Sequence, residues 1–304
     1  LELFPSQNIY VPKSRYRTLG IQVGGNRPFS KFSRLEFILN YNYSEQVDFL
    51  YGIVTGTTDI IRDEDESTKK SFSTFMPAAR YVYDNTIWSY TYPVDGLRMY
   101  LKYKYSPPLF ADSPSFHRGT FDFRKYFKIS SGVSIAGRIF GGTTWGRNKL
   151  QFRLGGTPWI FSNDDIRIDN NGLEIEDIYF SEYIMPIRGT YISRIYGNNV
   201  ALMNFELRLP FLIYYFPSIK YFGQLNGVVF IDLGTAWDST LPPNIFDVSG
   251  WDRNSSNNHW IMSFGFGPRF IFLGYPWQLD FAWEYNPYEG RSDMKWYLSI
   301  GLDY

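Results

Sequence analysis

The chain has 304 residues, 44% of them hydrophobic and 20% aromatic, with 30 basic residues balancing 30 acidic ones. That balance leaves no excess of positive charge for nucleic acid, which is not expected among its partners. Cysteine is absent, so disulfides and thiolate metal sites are excluded, and no apolar run approaches the ~18 residues of a transmembrane helix. The mean hydropathy of −0.27 is compatible with a membrane barrel, because alternating strands hide a lipid-facing half inside a polar average. A supply of 25 Tyr and 27 Phe suits the aromatic girdles of such a barrel.

Residues 1–15, with Pro5 and Pro12, read as a linker or periplasmic lead-in, and 16–304 as the barrel. Apolar and polar residues then alternate, the pattern of a strand with one oily face, near 16–25, 33–43, 46–57, 73–84, 94–105, 116–127 and 132–141. The pattern is clearest where Leu97, Met99, Leu101 and Tyr103 interleave with Arg98, Tyr100, Lys102 and Lys104. A long stretch, 142–198, rich in Gly, Asn, Asp and Ile, interrupts it. Strands resume at 199–210, where Met203, Phe205, Leu207 and Leu209 oppose Asn204, Glu206 and Arg208, and continue at 221–236, 260–272 and 277–285. Pro268 falls on the oily side of its strand and marks a weak or bulged point. In the last strand, 294–304, Met294, Trp296, Leu298, Ile300, Leu302 and Tyr304 share one face. Its length is about the ~9–11 residues that a tilted strand needs to cross a bilayer. The expected fold is an all-β, antiparallel transmembrane barrel of about twelve strands, or up to about sixteen if strands lie upstream.

Connection lengths support the same reading. With the C-terminus periplasmic, the connections 44–45, 85–93, 129–131, 211–220 and 274–276 share the periplasmic side, and most are short. Those at 58–72, 106–115, 142–198 and 237–258 lie outside and are longer, the asymmetry of bacterial barrels. The run Asp63-Glu64-Asp65-Glu66 reads as a solvated charge cluster in one of them. An even strand count puts both termini in the periplasm. A soluble sandwich or propeller would also alternate, but no blade repeat of ~40–45 residues is present.

Several short motifs occur in a fixed order. They are Phe152-Arg153-Leu154-Gly155-Gly156, Ile187-Arg188-Gly189, Asn204-Phe205-Glu206-Leu207-Arg208-Leu209-Pro210, Phe230-Ile231-Asp232-Leu233-Gly234 and Gly265-Phe266-Gly267-Pro268-Arg269. Together they resemble the C-terminal barrel of the BamA/TamA superfamily, also called the bacterial surface antigen family. Tyr83-Asp84-Asn85 and Pro93-Val94-Asp95-Gly96 fit its turn-and-strand pattern more loosely. The resemblance covers about 73–304 and implies that the 142–198 loop folds back into the lumen with Arg188-Gly189 at its tip. Thr190 stands where the family usually has an aromatic residue, and Tyr191 is the substitute one place later.

Physical reasoning reaches the same residues. Glu206, Asp232 and Arg269 occupy positions facing away from lipid, where ionised groups would be costly. Two carboxylates on adjacent strands make an acceptor for a guanidinium, whose planar fork bonds two oxygens together. Arg188 would pin the loop inside the barrel, and Gly189 lets the backbone turn closely there. The alternative is a solvent-exposed Arg188, with Glu206 and Asp232 lining a wet pore.

No catalytic signature is present: there is no GxSxG, HExxH or Walker loop. His117 and His259, the only histidines, are far apart in the chain and read as exposed polar residues. Asp169-Asn170-Asn171-Gly172 has the look of a calcium loop, yet Arg167 stands at the first ligand position and Ile178 at the bidentate one. No enzyme activity, cofactor or metal is expected. The resemblance implies insertion or translocation of proteins at a Gram-negative outer membrane, by a lateral seam between about Tyr16–Gly25 and Met294–Tyr304. Gly301 and Tyr304 are the candidates for a strand end that peels inward. Implied partners are outer-membrane lipids, nascent outer-membrane or secreted proteins, and periplasmic or membrane subunits of a complex. The alternatives are a non-catalytic membrane anchor and a plugged diffusion pore.

Overall fold

The computed structural model describes residues 9–53, 60–64, 69–89, 91–110, 113–164, 181–210, 225–238 and 260–301. Among them eleven strands carry the sheet: β1 (Ile9–Pro28), β2 (Ser33–Ile53), β3 (Lys70–Asp84), β4 (Pro93–Ser106), β5 (Phe116–Ser130), β6 (Val133–Gly146), β7 (Asn199–Leu209), β8 (Asn226–Trp237), β9 (Ile261–Phe272), β10 (Tyr275–Asn286) and β11 (Lys295–Ile300). Each pairs antiparallel with the next in chain order. The result is a barrel sheet built as an unbroken meander, with no helix among the described residues. β1 and β11 are the outermost of these strands.

The period of two decides which side chains face which way. In β7, Val200, Leu202, Asn204, Glu206 and Arg208 are buried, whereas Met203 and Phe205 stand about half exposed at 51% and 49%. In the paired strand β8, Asp232 is buried beside Val229 and Ile231, which point out. Exposed large apolar residues recur on this outer face around the sheet, among them Leu101, Tyr103, Phe121 and Phe266. Such a surface suits lipid, and the opposite face carries the charge.

Two expectations need correction. β1 already begins at Ile9, so residues 9–15 belong to a strand and not to a lead-in. Pro12 is tolerated there because β1 is an outermost strand and one of its edges needs no ladder donor. The expected turn at Ser44-Glu45 does not form; Ser33–Ile53 is one strand of 21 residues. The ladders to β1 and β3 run straight through, with Ser44 opposite both Thr18 and Phe72. Neither Ser nor Glu carries the φ restriction that breaks a strand, and two neighbours hold the backbone extended. The odd number of long strands among the described residues puts Ile9 and Ile300 at opposite ends of the sheet.

Tight connections mark one end. β9 and β10 are joined through Leu273 and Gly274, both at positive φ, 53° and 81°, as a two-residue hairpin requires. β5 and β6 meet at Ser131-Gly132. The connection 211–220, most of 237–258 and the acidic run beyond Glu64 lie outside the described residues.

At the other end the 147–198 loop turns inward and makes its own core. Phe152–Leu154 pairs with Glu182–Ile184 on one side and with Ile195–Gly197 on the other. This small sheet packs its Phe152, Leu154, Ile184 and Ile195 on inward-facing Phe140, Val200, Leu202, Ala236 and Ile261. The wall gives room for it: a Cβ on Gly234 would lie 2.5 Å from Ile187 and 2.7 Å from Leu154. Burial of apolar side chains thus holds the loop in the lumen, at ~25 cal/mol per Å² removed from water.

Candidate functional site: a loop clamped in the lumen

The loop tip enters a polar layer of the lumen made by adjacent strands. Antiparallel register puts Asn204 of β7 opposite Asp232 of β8, and Glu206 opposite Phe230. Because all four side chains face inward, two carboxylates converge on one point. Arg188 fills it. Its Nε and Nη2 donate to Asp232 at 2.9 and 2.7 Å, its Nη1 donates to Glu206 at 2.8 Å, and its backbone N–H donates to Asp232 at 3.0 Å. Arg188 is 2% exposed, and both carboxylates are fully buried. The planar fork is what allows one side chain to serve both acids.

Further bonds fix each partner. Arg208 donates to the second oxygen of Glu206 from Nε and Nη2, at 3.0 and 2.7 Å, and from Nη1 to the Pro93 carbonyl at 2.7 Å. Asn204 donates to Asp232 at 2.8 Å and to the Pro186 carbonyl at 2.9 Å. A continuous chain of charge therefore runs from Asp232 through Arg188 and Glu206 to Arg208, which holds the carbonyl of the first residue of β4. Buried charges persist only where such pairing and hydrogen bonding are complete. The Arg188 guanidinium also lies 3.5 Å from the centroid of the Phe230 ring, a cation–π contact in a dry site.

A second charged cluster reaches the loop from β5 and β6. Asp122 accepts from Arg124 and Arg138, and Arg138 Nη1 donates 2.7 Å to the Met185 carbonyl. Arg118 on β5 donates to the Leu150 carbonyl at 3.1 Å. The loop is thus held from several strands at once, through its backbone carbonyls as well as its arginine.

Gly189 turns the tip at φ +88°, and a Cβ there would sit 3.0 Å from the backbone carbon of Trp283 and 3.1 Å from the nitrogen of Glu284. Gly189→Ala is accordingly expected to cost ~1–2 kcal/mol from left-handed strain alone. A lowered thermal midpoint of the heat-modifiable barrel band checks this, and an unchanged midpoint would refute the close approach.

The expected residues are not all brought together. Thr190 is itself the buried residue after the glycine: its hydroxyl donates to the Ile187 carbonyl and accepts from Gly156 N–H, both at 3.0 Å. Tyr191 does not take the tip position; it is half-buried, with Arg194 5.2 Å and Lys295 5.9 Å from its ring. The aromatic partner of Arg188 is Phe230, from the barrel wall. Arg269 is buried and inward-facing, and its ion pair is with Asp280 of β10 at 2.8 Å. Gly301 ends β11, its N–H donating to the Pro276 carbonyl at 3.0 Å and its carbonyl accepting from Gln278 at 2.9 Å. Tyr304, His259 and 169–172 lie outside the described residues. His117 sits on the outer face, 2.7 Å from the Tyr103 hydroxyl and stacked between Tyr105 and Trp145.

Asn204, Arg208, Asp280, Asp122 and Arg138 carry the network without having been assigned to it. Strand parity was the available signal, since each is a polar residue on the inward face.

The geometry can be set beside known proteins. A sequence search of curated proteins found no match. Among solved structures, BamA from Haemophilus ducreyi lacking POTRA domains 1–3 superposes with a TM-score of 0.58 at 15% identity, covering 94% of this chain and 55% of that one. CdiB from Acinetobacter baumannii gives a TM-score of 0.56 at 12% identity, covering 97% of this chain and 43% of that one. The chain therefore spans about half the length of these structures and shares their fold. The model of the Omp85 superfamily domain matches residues 6–304. With a match over nearly its whole length, the chain belongs to the Omp85 superfamily, whose barrels are outer-membrane proteins.

Proposed function

We propose that this chain inserts or translocates proteins at the outer membrane through a lateral seam bordered by β1 and β11, without covalent chemistry. The observation that carries the reading is that β1 and β11 are the first and last long strands of the meander, with β11 engaged on the side away from β10 only by the two-residue pairing of Phe161 and Ser162, while the loop tip is clamped against the inner face of the strands between them. An outermost strand presents unpaired N–H and C=O groups, and an incoming strand can pair with them by β-augmentation. β11 is short, six residues, and local bilayer thinning at such a mismatch lowers the barrier to insertion. With the short connections periplasmic, β11 ends on the periplasmic side and Ile9 lies at the outer end. Substrates are nascent outer-membrane or secreted proteins, delivered by periplasmic or membrane subunits.

Removal of 295–304 is expected to abolish insertion of a barrel client into liposomes. A wild-type rate in the truncated protein would sink the seam mechanism. A plugged lumen also predicts no large steady current in planar bilayers; such a current would favour the diffusion pore instead.

A further inference from the structure

The edge of β11 that faces away from β10 is not bare. Phe161 and Ser162, early in the lumenal loop, pair with it antiparallel, Phe161 opposite Leu298 and Ser162 opposite Tyr297. The Ile160 N–H donates to the Leu298 carbonyl at 2.7 Å. Beyond this two-residue ladder, Asn163 imitates a further strand residue: its side chain accepts from Trp296 N–H at 2.8 Å and donates to the Met294 carbonyl at 3.0 Å. Asp164 adds an ion pair to Lys295 at 2.9 Å and accepts from the Tyr297 hydroxyl at 3.1 Å. Ser299 donates to the Pro158 carbonyl at 2.9 Å. Residues 158–164 thus use the polar edge groups of β11 that an added strand would use.

The segment also has the pattern of a membrane strand. Phe161 lies beside lipid-facing Leu298 and is 60% exposed, while Ser162 lies beside inward-facing Tyr297. Trp159 packs on the cluster of Val228, Phe230, Ala282 and Tyr297. Phe230 is the ring beneath Arg188, and Gly156, just before the segment, bridges Ile187 at the tip. The edge cover and the lumen clamp are therefore two parts of one tethered unit.

We infer that residues 158–164 are a built-in occupant of the β11 edge, which a client β-strand must displace to pair there. The inference rests on the seam reading above. Two ladder residues and a side-chain imitation make a weak pairing compared with a full strand, so displacement by a longer client strand is downhill. The covered edge meanwhile resists unwanted pairing with other chains.

The test exploits the absence of cysteine. In Phe161→Cys/Leu298→Cys, mild oxidation should form the disulfide and stop client insertion into liposomes, and reductant should restore it. Failure of the disulfide to form, or undiminished insertion once it has formed, overturns the inference. A second measurement does not depend on insertion. A peptide copy of residues 157–164 bearing Phe161→Cys is presented to the full chain carrying Leu298→Cys. Disulfide trapping should be at least about tenfold faster when Asn163→Ala and Asp164→Ala remove three side-chain hydrogen bonds and an ion pair of the resident segment, since the loss of a single hydrogen bond is already expected to give about that ratio. Equal trapping overturns the inference. Faster trapping with no insertion by the reduced protein would leave the occupied edge standing and refute the insertion function.

Discussion

Arg188→Ala is expected to lower barrel stability by ~3–5 kcal/mol, the usual cost of removing one partner from a buried ion pair. The substitution leaves Asp232 without two of its donors and Glu206 without one. The backbone N–H of residue 188 would remain, but it has no reason to stay in place once the side chain is gone. The visible consequence is proteolysis within 181–198 by an added protease that leaves the parent protein intact. Arg188→Lys should recover little, because one ammonium cannot present the fork that reaches Asp232 and Glu206 together. A lysine variant as stable as the parent would show that charge alone, and not bidentate geometry, holds the tip.

Glu206→Gln carries the second large effect. Glu206 is a carboxylate shared by two buried arginines, each oxygen serving a different guanidinium. The amide keeps the shape but loses the charge, and its NH₂ group faces a donor. The expected loss is again ~3–5 kcal/mol, since two buried cations lose their common counterion. The effect should spread to the β3–β4 connection, because Arg208 also holds the Pro93 carbonyl and lies 4.8 Å from the Tyr92 ring. Faster amide exchange in both the loop tip and residues 91–92 checks this. Exchange confined to the loop tip would mean that Arg208 is held independently.

Most of the fold was legible because alternation is a local signal. In β7 the sequence pattern and the burial pattern coincide residue by residue, from Met203 to Leu209. The failure at Ser44-Glu45 has a physical origin: a polar pair in a strand looks like a turn unless the ladders on both sides are known. The clamp was legible in part. Arg188, Gly189, Glu206 and Asp232 stand out in the sequence by motif and strand parity, whereas Arg208 and Asn204 join the network only through register. Tyr191 misled because an aromatic was sought along the loop, while Phe230 supplies it from across the lumen. The pairing of Phe161 with Leu298 joins residues more than a hundred positions apart through only two ladder positions, too short a run for periodicity to reveal.

The most direct test of the clamp is a double-mutant cycle of Arg188→Ala and Asp232→Ala, read as unfolding free energy of the folded barrel in lipid vesicles. The two residues make three direct bonds, so the cycle should yield a coupling energy of ~1.5–3 kcal/mol, the upper range for contacting residues. Strict additivity of the two substitutions would contradict a tip held in the lumen by this pair.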